Sequence, residues 1–322
     1  MFDTLLLCVT TLVFGGEAPA QPEGFAQVQP AAFGPSNDAR GGQVGGMVTD
    51  GWDGAGLHAT TLYFHIENAS PIGTQAGQRT AMLTALQTWA DLVQVHFIET
   101  PVPNRARSID FRWEDGEHCA NEPAECGDSD CVFDGPGGRF YHAAYPPGGD
   151  SLCGGIATES QAGNIHFDIE DGFSEDHGPG FNGISLALTA AHSVGHALGL
   201  RHDTVGDPGA YPSIMDNRDM RDRSLWPPSE RDILFIQQGY AAGVGSVTTL
   251  ETLGIWVNSS YAGTELGTPG EPFDTLAEGI AGLPPFAGTI TMHMLTGLYP
   301  EAAVIDEPCI ISADFGPVII GR

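Results

Sequence analysis

The run His192-Ser193-Val194-Gly195-His196-Ala197-Leu198-Gly199-Leu200-Arg201-His202 leaves this chain few ways to fold. His192 and His196 stand four residues apart, so on a helix their imidazoles leave one face about a turn apart. Gly199 lets the chain quit the helix in a left-handed conformation, which a residue with a Cβ adopts only under strain. His202 can then swing back toward the first two rings. Three imidazoles with a fourth position left open are the donor set of an open zinc site; a structural zinc is closed by four protein ligands. Two histidines at this spacing are common on soluble helices, but a third six residues later with a glycine midway is much rarer. The competing reading is a helix with three structural histidines. The spacing predicts a zinc centre of His192, His196 and His202 on a helix running from about Ser185 to Leu200.

Composition narrows the partners. The formal net charge is −29, and all 12 basic residues are arginine. Such acidity argues against nucleic acid or an anionic membrane as a partner, and it suits a secreted, calcium-loaded protein or a salt-adapted surface. The apolar run from Leu5 to Phe14, followed by Ala18-Pro19-Ala20, predicts a signal peptide over 1–20, although Asp3 stands where a positive charge is usual. That run is too short to span a bilayer, and no later segment is long enough. Without Cys8, Cys119, Cys126, Cys131 and Cys153 cluster and Cys309 stands apart. In an exported chain the four suit two disulfides with three pairings open, leaving Cys309 odd. Zinc binding by these four is the rival, but their spacings fit no zinc ribbon.

Residues 21–45 are rich in Gly, Pro, Gln and Ala and read as a flexible leader. Strands are expected at Thr61–Ile66, Val95–Ile98, Ile109–Trp113, Phe140–Tyr145 and Ile165–Ile169. Apolar residues at helical spacing predict a helix over Thr80–Val93, and a last helix is expected over about Ser229–Tyr240. The tail is different. Trp256-Val257-Asn258, then a short helix carrying Leu276, Ile280 and Leu283, then short strands at Thr289–Met292, Tyr299–Glu301 and Cys309–Ile311 are expected. The predicted organisation is a domain over 46–243 and a small β-rich module over 252–322.

These residues resemble a known family. The metzincin pattern is H-E-x-x-H-x-x-G-x-x-H followed by a methionine turn, and Ser213-Ile214-Met215-Asp216 places its methionine thirteen residues after His202. Ala190-Ala191 and Ala197-Leu198-Gly199-Leu200 look most like the matrixin branch, the matrix-metalloprotease-like zinc peptidases. Over roughly residues 55–242 the resemblance implies an α+β metzincin fold, a twisted mixed sheet with an active-site helix, and Met215 as an apolar floor beneath the metal. It also implies protein or peptide substrates and secretion. Phe133-Asp134-Gly135-Pro136-Gly137-Gly138 and Asn164-Ile165-His166-Phe167-Asp168-Ile169-Glu170-Asp171 resemble the loop and strand that hold structural metals in matrixins. Carried over, calcium falls to Asp134, Asp168 and Asp171 with the carbonyls of Gly135, Gly137 and Arg139, a hard oxygen set that suits it. A second zinc falls to His142 and His166. The family's remaining His-x-Asp pair falls near Gly127 and Ser129, which cannot ligate, with Asp128 or Asp130 as substitutes. The cysteine motif of the family's latency prodomain does not occur. The tail resembles the opening coil of a pectin-lyase-like β-helix, where a helix caps the stack.

One departure matters most: Ser193 stands where the family has its catalytic glutamate. That glutamate takes the proton of the attacking water and delivers it to the leaving amine. Ser193 has no such basicity, and as a nucleophile it needs a neighbouring base that the metal-committed histidines cannot supply. Glu230 and Asp203 are the candidates to replace it. Two readings follow: a secreted zinc metallopeptidase with weak or absent turnover, or a non-catalytic pseudopeptidase that binds or scaffolds proteins.

Overall fold

The computed structural model describes residues 45–116, 133, 141–149, 162–174, 183–203, 213–216, 227–283, 290–305 and 308–321. The expected signal peptide and most of the leader lie outside these residues. So do Asp134, Gly135, Gly137 and Arg139 of the calcium loop, and Cys119, Cys126, Cys131 and Cys153.

The first part of the chain forms β1 (Thr60–Ile66), α1 (Gln75–Ala90), β2 (Val95–Glu99), β3 (Ser108–Glu114), β4 (Tyr141–Ala143) and β5 (Ile165–Asp168). It continues through a small parallel pair, β6 (Phe173–Ser174) and β7 (Ile184–Ser185), to α2 (Leu186–Ala197), α3 (Glu230–Ile236) and β8 (Ser246–Thr248). The main sheet has the order β4-β5-β3-β1-β2-β8, with every neighbour parallel except the antiparallel β4–β5 pair at the edge. Strand alternation decides the faces: Leu62, Phe64 and Ile66 of β1 are buried while Thr61 is exposed. Ile109, Phe111 and Trp113 of β3 join the same core as the apolar residues of α1 and α2.

Helix α1 begins five residues before the expected Thr80. Its start signal is a cap, not an apolar stripe: the Thr74 hydroxyl accepts from Gly77 N at 3.1 Å. Met82, Leu86 and Trp89 then fall on one face and bury against the sheet and α2, each apolar side chain contributing about 1.5–3 kcal/mol. Helix α2 is buried on every side, all twelve residues included. A helix of this kind is held by its neighbours, so the polar groups it carries are buried by design of the fold. It ends three residues before the expected Leu200, because Gly199 turns at φ +103°.

The tail forms α4 (Leu250–Leu253), β9 (Ile255–Val257), α5 (Leu276–Ala281), β10 (Ile290–Tyr299) and β11 (Cys309–Ile320). Strands β9, β10 and β11 stack in chain order, all parallel, over a second core of Ile255, Val257, Leu276, Met292 and Met294. The expected strand at Thr289–Met292 opens the ten-residue β10, which ends at Tyr299, so Pro300 and Glu301 of the expected Tyr299–Glu301 strand lie outside it, and β11 runs nine residues past the expected Ile311. Gly297 and the glycine and proline at 316–317 hid this continuity, since each normally interrupts a strand. The two strands absorb the irregularity as a register shift between Leu295 and Gly297. The two cores meet at an ion trio in which Arg79 and Glu99 are buried and Glu251 is exposed. Arg79 of α1 bonds Glu99 of β2 through both terminal nitrogens (2.5 and 2.7 Å) and Glu251 of α4 (2.7 Å).

Candidate metal centre

Three backbone clamps fix α2 before any metal is considered. Trp89 and Trp52 donate their indole N–H to the carbonyls of Ala191 (2.7 Å) and Ala197 (2.8 Å), and the Tyr240 hydroxyl donates to Leu198 (2.8 Å). Beyond Gly199 the chain pairs with the segment at 46–48, through Val48 N to the Gly199 carbonyl (2.7 Å) and Arg201 N to the Gly46 carbonyl (2.9 Å). Those bonds bring His202 back over the helix.

The imidazole orientations are set from behind. His192 Nδ1 lies 2.8 Å from the Ile214 carbonyl, and His196 Nδ1 lies 2.8 Å from the Leu200 carbonyl. A carbonyl only accepts, so both Nδ1 atoms carry hydrogen and both Nε2 atoms present lone pairs. His196 Nε2 stands 3.0 Å from His202 Nε2, and the three histidines offer ligand atoms within 4.8 Å of one another. Two nitrogens on one tetrahedral zinc are separated by about 3.3 Å, from bond lengths of about 2.0–2.1 Å. His192 Nε2 is buried with no hydrogen-bond partner, which is the state of a ligand atom aimed at a cation. The donor set therefore fits zinc.

Electrostatics point the same way. Burial, with the neighbouring His202, pushes the His192 pKa down to about 3, and burial with both neighbouring histidines holds His196 well below its ordinary range. Burial also lowers His202, against the carboxylate of Asp216, which raises it. All three rings are thereby kept neutral at physiological pH, the form that binds metal.

The turn at Ser213–Asp216 braces the segments of two of the three rings. The Ile214 carbonyl orients His192, and Asp203, next to His202, donates its backbone N–H to the Met215 carbonyl at 2.9 Å. Met215 is buried and fills the space that a Cβ on Gly195 would need, with the Trp89 ring at 3.0 Å from that point. Gly195 and Asp232 were not singled out from sequence. The buried Asp232 carboxylate accepts from Ser213 Oγ (2.5 Å) and Ile214 N (2.9 Å), and closes a capping box with Ser229 at the start of α3. The S/T-x-x-D/E spacing at Ser229 was the signal that could have found it.

A model of the matrixin peptidase family matches residues 56–241. The chain belongs to the matrixin family. Karilysin of Tannerella forsythia is 34% identical over 159 residues, covering 49% of this chain and 29% of that protein. Interstitial collagenase of Oryctolagus cuniculus is 32% identical over 164 residues (50% and 29%), and matrix metalloproteinase-20 of Homo sapiens 32% over 155 (48% and 26%). The matched stretch spans less than a third of each relative.

Against the matrixin pattern, Ser193 is completely buried and its Oγ has no hydrogen-bond partner. Neither expected replacement reaches it. Asp203 is buried and ion-paired with Arg231, whose Nη2 donates at 2.9 Å, while Glu230 is exposed in the first turn of α3. His142 and His166 face each other directly in the antiparallel β4–β5 pair, rings 4.9 Å apart. Asp168, the last residue of β5, and Asp171 just beyond it are both buried. The Asp168 Oδ1 accepts from Glu170 N at 2.8 Å and its Oδ2 has no partner. Burial and the charge of Asp171 raise the Asp168 pKa, against the Glu170 bond, which lowers it. No described helix is long and apolar enough to cross a membrane.

Proposed function

We propose that the chain is a secreted matrixin-family protein whose His192, His196 and His202 hold one zinc ion, and whose peptide-bond hydrolysis is weak or absent because Ser193 occupies the general-base position. The observation that carries the reading is the 3.0 Å approach of His196 Nε2 to His202 Nε2 beside the unpartnered His192 Nε2. Zinc in such a site polarises a scissile carbonyl and lowers the pKa of its water to about 7. The remaining work falls to the protein. The α2 clamps hold the imidazoles, Met215 floors them, and nothing among the described residues moves a proton at the position of Ser193. Loss of a general base costs about a hundred- to ten-thousand-fold in rate, or about 3–5 kcal/mol of barrier.

Asp168 and Asp171, with Asp134 and the carbonyls of Gly135, Gly137 and Arg139, form the proposed calcium site. Two buried carboxylates this close cost free energy unless a cation or protons compensate them. His142 and His166 are the proposed donors to a second zinc. The segments 46–243 and 252–322 are read as a peptidase domain and a β-helix-cap-like module. In the alternative reading the zinc-loaded chain binds extracellular proteins without cleaving them.

Elemental analysis of purified chain tests the first step. The account expects about one zinc per chain lost on His196→Ala replacement, with any second zinc surviving that change. Zinc content unaffected by the replacement would overturn the assignment.

A further inference from the structure

Three neutral imidazoles bring no charge to an ion they hold, and the buried Ser193 adds none. A divalent cation in the triad would therefore sit in protein surroundings with its charge unmatched by its own ligands, which is costly. The turn at Ser213–Asp216 holds a carboxylate next to this centre. Asp216 is 4% exposed, and a carboxylate is expensive to bury unless positive charge offsets it. Its place is fixed by the backbone. Asp216 N donates to the Ser213 carbonyl at 3.0 Å, closing the turn, and Asp203 N donates to the Met215 carbonyl at 2.9 Å. The second bond joins the peptide unit between 215 and 216 to the one between 202 and 203, so Asp216 and His202 flank one bonded pair of peptides. The carboxylate stands outside the group of ligand atoms that lie within 4.8 Å of one another. Its charge nonetheless acts on the third ring, whose pKa it raises against burial. The other carboxylate beside His202, that of Asp203, is paired with Arg231.

We propose that Asp216 is a charge-compensating positioning residue of the metal centre, whose carboxylate, held by the turn beyond the ligand shell, stabilises a divalent cation in the triad of His192, His196 and His202. This rests on the zinc reading above and adds to it the source of the negative charge. Position 193, beside the first ligand, carries no carboxylate, and the compensating charge comes instead from 216, beside the third. Holding the cation and moving a proton at position 193 are thereby separate tasks, and the chain is equipped for the first. Residues that support metal ligands from outside the shell are commonly worth ten- to a hundredfold in metal affinity.

Zinc affinity of the purified full chain, measured by competition with a chelator, tests this. Asp216→Asn keeps the size of the side chain and removes its charge, and it is expected to raise the zinc dissociation constant by about tenfold or more, as much as Asp216→Ala does. Asp91→Asn, which removes one charge from the exposed end of α1, is expected to leave it unchanged. The visible spectrum of the cobalt-loaded chain separates charge from shape: with the three imidazoles undisturbed, the Asn variant is expected to keep the parent spectrum while binding more weakly. Circular dichroism monitors folding, and the Asn variant carries the test if the Ala variant misfolds. An Asn variant with parent affinity, or one that weakens only with an altered cobalt spectrum, would overturn the proposal. An unsubstituted chain that binds no zinc would overturn the triad itself, and that result is read before any variant is made.

Discussion

Ser193 and Gly195 flank the same turn of α2 and differ in what the sequence reveals about them. The proposed loss at Ser193 rests on the family pattern alone, because a serine in place of a carboxylate would remove a proton acceptor whatever the fold does. The need for glycine at 195 is not, since it arises from Met215 and Trp89 arriving from elsewhere in the chain to fill its Cβ position. Gly195→Ala is expected to destabilise by about 1–3 kcal/mol through overpacking, read as a lower denaturant midpoint. The histidines give a pH prediction for the metal-free chain. His192 titrates near 3 when folded and at about 6.5 when unfolded. The unfolded chain therefore takes up the proton first on acidification. The resulting stability is fully present above about pH 6.5 and falls by up to about 1.4 kcal/mol per pH unit per such histidine as the pH drops toward 3. Denaturant unfolding of the metal-free protein across that range checks it. A midpoint flat between pH 6.5 and 4.5 would contradict the buried, neutral imidazoles.

The elements that position the centre were readable where their signal is local. Strands β1, β2, β3 and β5 follow from alternation, and α2 from its histidine spacing and Gly199. The start of α1 was misplaced because it rests on Thr74, a cap ahead of any apolar stripe. The turn at Ser213–Asp216 was expected from its spacing after His202, but its anchor was not, since Asp232 acts across seventeen residues to Met215. Asp232→Ala would leave Ser213 Oγ and Ile214 N without their acceptor, at about 1–3 kcal/mol for each group left buried and unpaired. Because the Ile214 carbonyl orients His192, zinc affinity is expected to fall by about ten- to a hundredfold, measured by competition with a chelator. Unchanged affinity in the folded variant would separate the turn from the metal.

At the scale of the molecule, the twisted mixed sheet with its active-site helix and the separate β-rich core of the tail were both legible from the pattern of the chain. The joint between them was not, because it is a side-chain network. Burial opposes the charge on Arg79, yet its bonds to Glu99 and Glu251 raise its pKa above the ordinary arginine value. Glu99 is 2% exposed and also accepts Leu250 N at 2.8 Å. Arg79→Ala would strand that carboxylate, and a loss of about 3–5 kcal/mol is expected in chemical denaturation. Replacing Arg79 by Met together with Glu99 by Leu should recover most of it. The account as a whole depends on a zinc-binding triad whose proton acceptor has gone. Its most direct test is the rate at which zinc-loaded chain cleaves a generic protein substrate, compared with the Ser193→Glu variant at equal zinc content. The variant is expected to be faster by about a hundredfold or more; equal rates, with the unsubstituted chain already an efficient peptidase, would contradict the account.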